Sequence, residues 1–156
     1  MTPTLTSSDS TPIITYPVTV PYSSVIEDLV LDGPYDWWHK TITSENFPTT
    51  RTGLTDLTIE LVHFGRFIST DEALRELDQM GYRPAELHEL LAFGEKYPDV
   101  HREFPIIALG SVCRSVPGDR RPCCAYLFRY GSEYCLDLFY LGQGWRDDGR
   151  FAAVRK

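Results

Sequence analysis

At 156 residues the chain is long enough for one domain with its own core, folding without metal or disulfide. Its formal charge of -7 excludes a polybasic nucleic-acid or membrane-surface binder, and no apolar run approaches the roughly 20 residues of a spanning helix. The amino terminus lacks the charged-then-apolar pattern of a secretory signal, so a cytoplasmic location is expected.

Residues 1–12 are rich in Thr, Ser and Pro with almost nothing to bury, which predicts a flexible arm over residues 1–20 ahead of a single domain over 21–156. Ile13 to Val20 carries β-branched residues broken by Pro17, the mark of an edge strand or an extended arm. Asp32-Gly33-Pro34 is a turn, and Tyr35-Asp36-Trp37-Trp38 follows as an aromatic knot whose Trp pair is expected to pack in or under the core. Leu57, Ile59 and Leu61 alternate with Thr58 and Glu60, which predicts a strand. Ser69-Thr70-Asp71-Glu72 then reads as a capping box, Ser69 serving the Glu72 amide. Ala73, Leu74, Leu77 and Met80 continue at helical spacing, and Gly81 stands where a helix end wants a left-handed residue.

A second helix is expected from Pro84, which suits a first helical turn, to Tyr97, with Leu87, Leu90 and Leu91 inward. Its glutamates, Glu86, Glu89 and Glu95, read as a solvated face. Ile106 to Leu109 is a continuous apolar run, the pattern of a central strand. Val116-Pro117-Gly118-Asp119 is a turn, after which short strands near 121–129 and 134–141 flank Tyr130 to Glu133, and Phe151 to Arg155 closes the chain as a final strand. The whole predicts an α+β domain: two helices packed on a small, mostly antiparallel sheet.

Signatures of catalysis are absent from the sequence. There is no phosphate-cradling or dinucleotide-binding glycine motif and no nucleophile elbow, and His88-Glu89 lacks the second histidine of a zinc-binding helix. Cys113, Cys123, Cys124 and Cys135 are adjacent or widely spaced, which fits neither a zinc site nor a disulfide framework. No enzymatic activity, metal or cofactor is therefore expected.

The carboxyl-terminal third is different in character. Of the twenty aromatic residues, eight lie between Tyr126 and Phe151. With Ala125, Leu127, Leu136 and Leu138 facing a core, strand alternation turns Cys124, Tyr126, Phe128, Cys135, Asp137, Phe139 and Leu141 outward together, a mixed face not selected for solubility. Tyr126, Phe128, Tyr130, Tyr134, Asp137, Phe139 and Tyr140, with Arg129, Arg146, Asp147 and Asp148 at the rim, are the candidate ligand-binding set. They are expected to form one contiguous surface whose replacement leaves the fold nearly as stable.

The run Arg83 to Leu91, then Phe104 to Val112, then Leu136 and Leu138, Trp145 and the ending Arg150 to Lys156, resembles small proteins of candidate-phylum bacteria. These in turn are similar to the variable proteins of diversity-generating retroelements, which use a C-type-lectin fold. The likeness covers roughly residues 57–156. It implies a C-type-lectin-like domain that binds an unknown protein or surface ligand through a diversified region at about residues 113–149. Adenine-directed substitution of Asn-type codons cannot yield Lys, Glu, Gln, Met or Trp. Between Arg121 and Gly149 the only such residues are Glu133, Gln143 and Trp145, which the resemblance makes scaffold positions. The competing reading is an undiversified small enzyme or structural accessory protein on a similar fold.

Overall fold

The computed structural model describes residues 4–8, 11–114 and 116–156. Among these, nine strands form one sheet: β1 (Thr4–Ser8), β2 (Thr11–Pro21), β3 (Trp37–Trp38), β4 (Leu54–Val62), β5 (Tyr82–Pro84), β6 (Ile106–Cys113), β7 (Cys123–Tyr130), β8 (Glu133–Tyr140) and β9 (Arg150–Arg155). Their spatial order is β1-β2-β4-β9-β6-β7-β8-β3, with β5 also paired to β9. Only the β6–β9 and β3–β8 pairs are parallel. Three helices, α1 (Ile26–Asp32), α2 (Thr70–Gln79) and α3 (Leu87–Lys96), complete the fold. The architecture is thus mixed α and β with a mostly antiparallel sheet, larger than the sequence predicts and with one more helix. No helix of the described residues is long and apolar enough to cross a membrane.

The sheet has two unequal sides. On the first, α3 packs on β2 and β6, and α1 packs on α3. Leu87, Leu90, Leu91 and Phe93 are buried there with Ile59, Ile106, Ala125, Leu127 and Leu136, while Tyr35, Ile42 and Phe47 from the segment after α1 join the same core. A helix apolar on nearly every side, as α3 is, must be enclosed, and each such side chain contributes about 1.5–3 kcal/mol when taken from water. Gly94 permits the enclosure: a Cβ there would lie 2.3 Å from the Tyr35 hydroxyl. On the second side, a smaller core gathers Val62, Ile68, Leu77, Tyr82, Ile107, Cys124, Trp145 and Phe151.

Helix starts follow local chemistry. Ser69 Oγ accepts the Glu72 amide at 3.2 Å, as its capping box predicts, and Gly81 takes a positive φ of 86° after α2. The second helix begins later than expected. Tyr82–Pro84 is strand β5, paired with β9, and α3 starts at Leu87 with Glu86 as cap. Glu89 closes that box, its Oε1 accepting the Glu86 amide at 2.7 Å. Glu89 is no solvated residue: it is fully buried and takes two hydrogen bonds from Arg83, at 3.0 and 2.6 Å, and one from the Tyr22 hydroxyl. Burial by itself would raise its carboxyl, but these donors outweigh burial and hold it below the usual carboxylate range.

Two further expectations are corrected. The arm foreseen over residues 1–20 is, where described, strands β1 and β2, and Tyr16, Val18 and Val20 are buried in the main core; residues 1–3, 9 and 10 of that arm lie outside the described residues. Pro17 suggested an edge strand because it lacks a donor, yet it stands within β2 opposite Thr58 of β4. The Trp pair is not core: Trp37 and Trp38 are 45% and 38% exposed on the edge strand β3. Adjacent strand residues point to opposite faces, so one core could not have taken both.

Candidate binding face

The β7–β8 ribbon carries most of the candidate residues, and its register decides which of them meet. Tyr126 stands opposite Asp137, Cys124 opposite Phe139 and Phe128 opposite Cys135. These six share the second side of the sheet, as the alternation predicts. Cys124 and Cys135 are buried, whereas Tyr126, Phe128, Asp137 and Phe139 are half-buried and Tyr130, at the end of β7, is 75% exposed.

The expected single surface is nevertheless split. Tyr134, Tyr140 and Arg129 lie on the opposite side, because the alternation that turns Leu136, Leu138 and Leu127 toward α3 turns these three with them. There Tyr134 hydrogen-bonds Asp99 at 3.1 Å and meets the buried His101 ring at 4.7 Å, and Tyr140 lies under the Arg121 guanidinium at 3.7 Å. Arg146, Asp147 and Asp148 are exposed in the loop before β9, and Arg146 and Asp148 come to the Tyr126 side.

The rings of that side run in sequence across the strands. Trp145 lies 5.1 Å from Phe139, Phe139 5.9 Å from Tyr126, and Tyr126 stacks on Phe128 at 4.9 Å with 14° between planes. Tyr126, Phe139 and Trp145 line a cavity of about 150 Å³ together with Ile107 and Pro105, and the exposed Arg146 and Asp148 also line it. Trp37, paired in register with Cys135, extends the aromatic row to the sheet edge. Sequence reasoning missed Trp37 and Ile107. The first was legible from the impossibility of burying two adjacent strand residues in one core, the second only from the tertiary pairing of β6 with β9.

The loop beside this cavity is held firmly. Trp145 exchanges two backbone hydrogen bonds with Ile68, at 3.0 and 2.8 Å, and its indole N–H donates to Thr70 Oγ1 at 3.0 Å. The Thr70 hydroxyl in turn donates to the Leu141 carbonyl at 2.7 Å. His63 Nε2 donates to the Asp147 carbonyl at 2.8 Å, and Arg150 donates to the Asp148 carbonyl at 2.7 Å while lying 4.1 Å from the centre of the Phe104 ring. A Cβ at Gly149 would meet the Ile107 Cδ1 at 2.9 Å, so a side chain there requires Ile107 to shift.

Electrostatically the face is quiet but not neutral. Burial, then the nearby Asp137 carboxylate, pushes the Tyr126 phenol up to about 12. Asp137 Oδ1 accepts the Leu138 amide at 2.7 Å, and among the described residues no cation pairs with Asp137. The four cysteines are buried, and burial pushes the Cys123 thiol up to about 11 and raises Cys124 and Cys135 as well. Thiols held protonated are poor nucleophiles and poor metal ligands at neutral pH.

No protein-family model, no curated protein and no solved structure matches this chain.

Proposed function

We propose that the chain is a ligand-binding, receptor-like protein rather than an enzyme, a C-type-lectin-like scaffold presenting a diversified face to a protein or surface ligand. The observation that carries this reading is the row of half-buried rings, Tyr126, Phe128 and Phe139, gathered on one side of the β7–β8 ribbon, with Tyr126 and Phe139 lining a cavity beside the hydrogen-bonded Trp145 loop. Aromatic side chains left half in water bind partners at low entropic cost, and rigid support keeps that cost low. The element order agrees with such a scaffold: strand β4, helices α2 and α3, strand β6, the ribbon, and a closing strand β9 returned against β4.

The division of residue types supports diversification. Tyr126, Phe128, Tyr130, Asp137 and Phe139 are all types that adenine-directed change can reach, and they face outward or into the cavity. Trp145, which it cannot reach, is the residue fixed by backbone and indole hydrogen bonds beneath them. Sequencing the gene's surroundings in many isolates tests the reading. It requires a reverse transcriptase and a near-copy of the 3' end differing at adenines, with substitutions concentrated in the codons of the outward positions. A locus without such a copy, and invariant codons at those positions, would remove diversification.

A further inference from the structure

We infer that the face takes a guanidinium: an arginine side chain presented by a protein partner, lying against Tyr126, Phe128 and Phe139 with its charge met by Asp137. The inference rests on the binding reading above and names the chemistry of the partner.

The fold uses this arrangement repeatedly for its own arginines. Arg121 lies 3.7 Å from the centre of the Tyr140 ring and pairs with Asp119 at 2.8 Å. Arg155 lies 4.9 Å from Tyr82 and pairs with Glu60 at 2.9 Å. Arg102 lies 5.9 Å from Tyr134 and pairs with Asp99 at 3.3 Å. In each, a ring supplies its negative face and a carboxylate the counter-charge. Tyr126 and Asp137, direct neighbours across β7 and β8, repeat the ring and the carboxylate, with Phe128 stacked on one side and Phe139 edge-on at the other. Here no arginine or lysine among the described residues completes the set.

Charge and size narrow the partner further. Asp148 at the cavity already has Arg146 and Arg150 near it, whereas no cation pairs with Asp137 among the described residues, and in a chain of net charge -7 a basic partner is the complementary one. A cavity of about 150 Å³ is half the lower bound of about 300 Å³ typical of small-molecule sites, which suits a single side chain on a larger partner. Arginine fits better than lysine. Its planar, weakly hydrated head stacks on rings and its aliphatic stem packs on apolar walls such as Ile107 and Pro105.

The test is an NMR titration of the intact protein with three probes: N-acetyl-arginine methylamide, its neutral citrulline counterpart and the leucine counterpart. The amides of Tyr126, Phe128, Asp137 and Phe139 should shift most with the arginine probe, and the citrulline probe should bind about fivefold more weakly, the contribution of a cation over a ring. Asp137→Asn keeps the acceptor for the Leu138 amide, so the fold is retained; it should weaken the arginine probe about fivefold and leave the citrulline probe unchanged. If citrulline or leucine binds these amides as tightly as arginine, the guanidinium inference is overturned while the binding reading stands. If no probe moves them, the inference also falls, and the binding reading is decided separately by the gene's surroundings.

Discussion

The two sides of the β7–β8 ribbon are made by the same sixteen residues in alternation, yet they are built to different ends. Toward α3, Ala125, Leu127 and Leu136 are at most 1% exposed and enclosed by helix and loop. Away from it, Tyr126, Phe128, Asp137 and Phe139 stand half in water over a thinner core in which Cys124 and Trp145 are buried. The first side spends its side chains on stability. The second keeps large apolar area available beside a loop tied by the Trp145 and Thr70 hydrogen bonds.

Truncation should separate the two sides most sharply. Leu127→Ala, on the enclosed side, should cost about 3 kcal/mol in chemical denaturation, since it leaves a cavity that α3 cannot close. Its neighbour Phe128→Ala should cost about 1 kcal/mol, because the ring is only partly removed from water. Equal costs would mean that the outer face is core as well.

A pH titration tests the enclosed side differently. His101 is buried between Tyr35 and Tyr134 with neither ring nitrogen hydrogen-bonded among the described residues, and burial pushes it down to about 4 against the opposing charge of Asp99. Above the ordinary value near 6.5 the ring is neutral folded or unfolded. Between 6.5 and 4 the unfolded chain takes up a proton that the folded one refuses, so stability should fall by about 3 kcal/mol as pH drops through that window and level off below it. His101→Phe should flatten this part of the curve, measured by denaturation at stepped pH.

Smaller effects belong to the outer face. Tyr126→Ala and Phe139→Ala should each cost about 1–2 kcal/mol, not the near-zero cost expected of fully solvated residues, because both pack on the second core. Tyr130→Ala, three-quarters exposed, should stay within about 0.5 kcal/mol. Melting curves of the three variants give the order directly.

Much of this was legible in the sequence where a local signal and a tertiary need coincide. The Ser69 capping box, the apolar run at Ile106 and the alternation in β7 and β8 each name their element because nothing long-range opposes them. The same alternation, followed strictly, separates Tyr134, Tyr140 and Arg129 from the candidate face; their residue type, not their position, had suggested otherwise. Helix α1 was not legible: it has seven residues and Val25 offers no side-chain cap. Nor was β5, since Pro84 suits a helix start as well as it suits a strand end, and only pairing with β9 and the close approach of Ala85 to Gly110 decide it.

The account's central claim, that scaffold and binding face are separable within one ribbon, is tested most directly by randomising two sets of positions and sorting for protease-resistant, folded protein. One library varies Leu127 and Leu136, the other Phe128, Tyr130 and Asp137. The account predicts that the first survives only with apolar residues of similar size, while the second stays folded with most residue types, charged ones included. Equal intolerance in both libraries would contradict it.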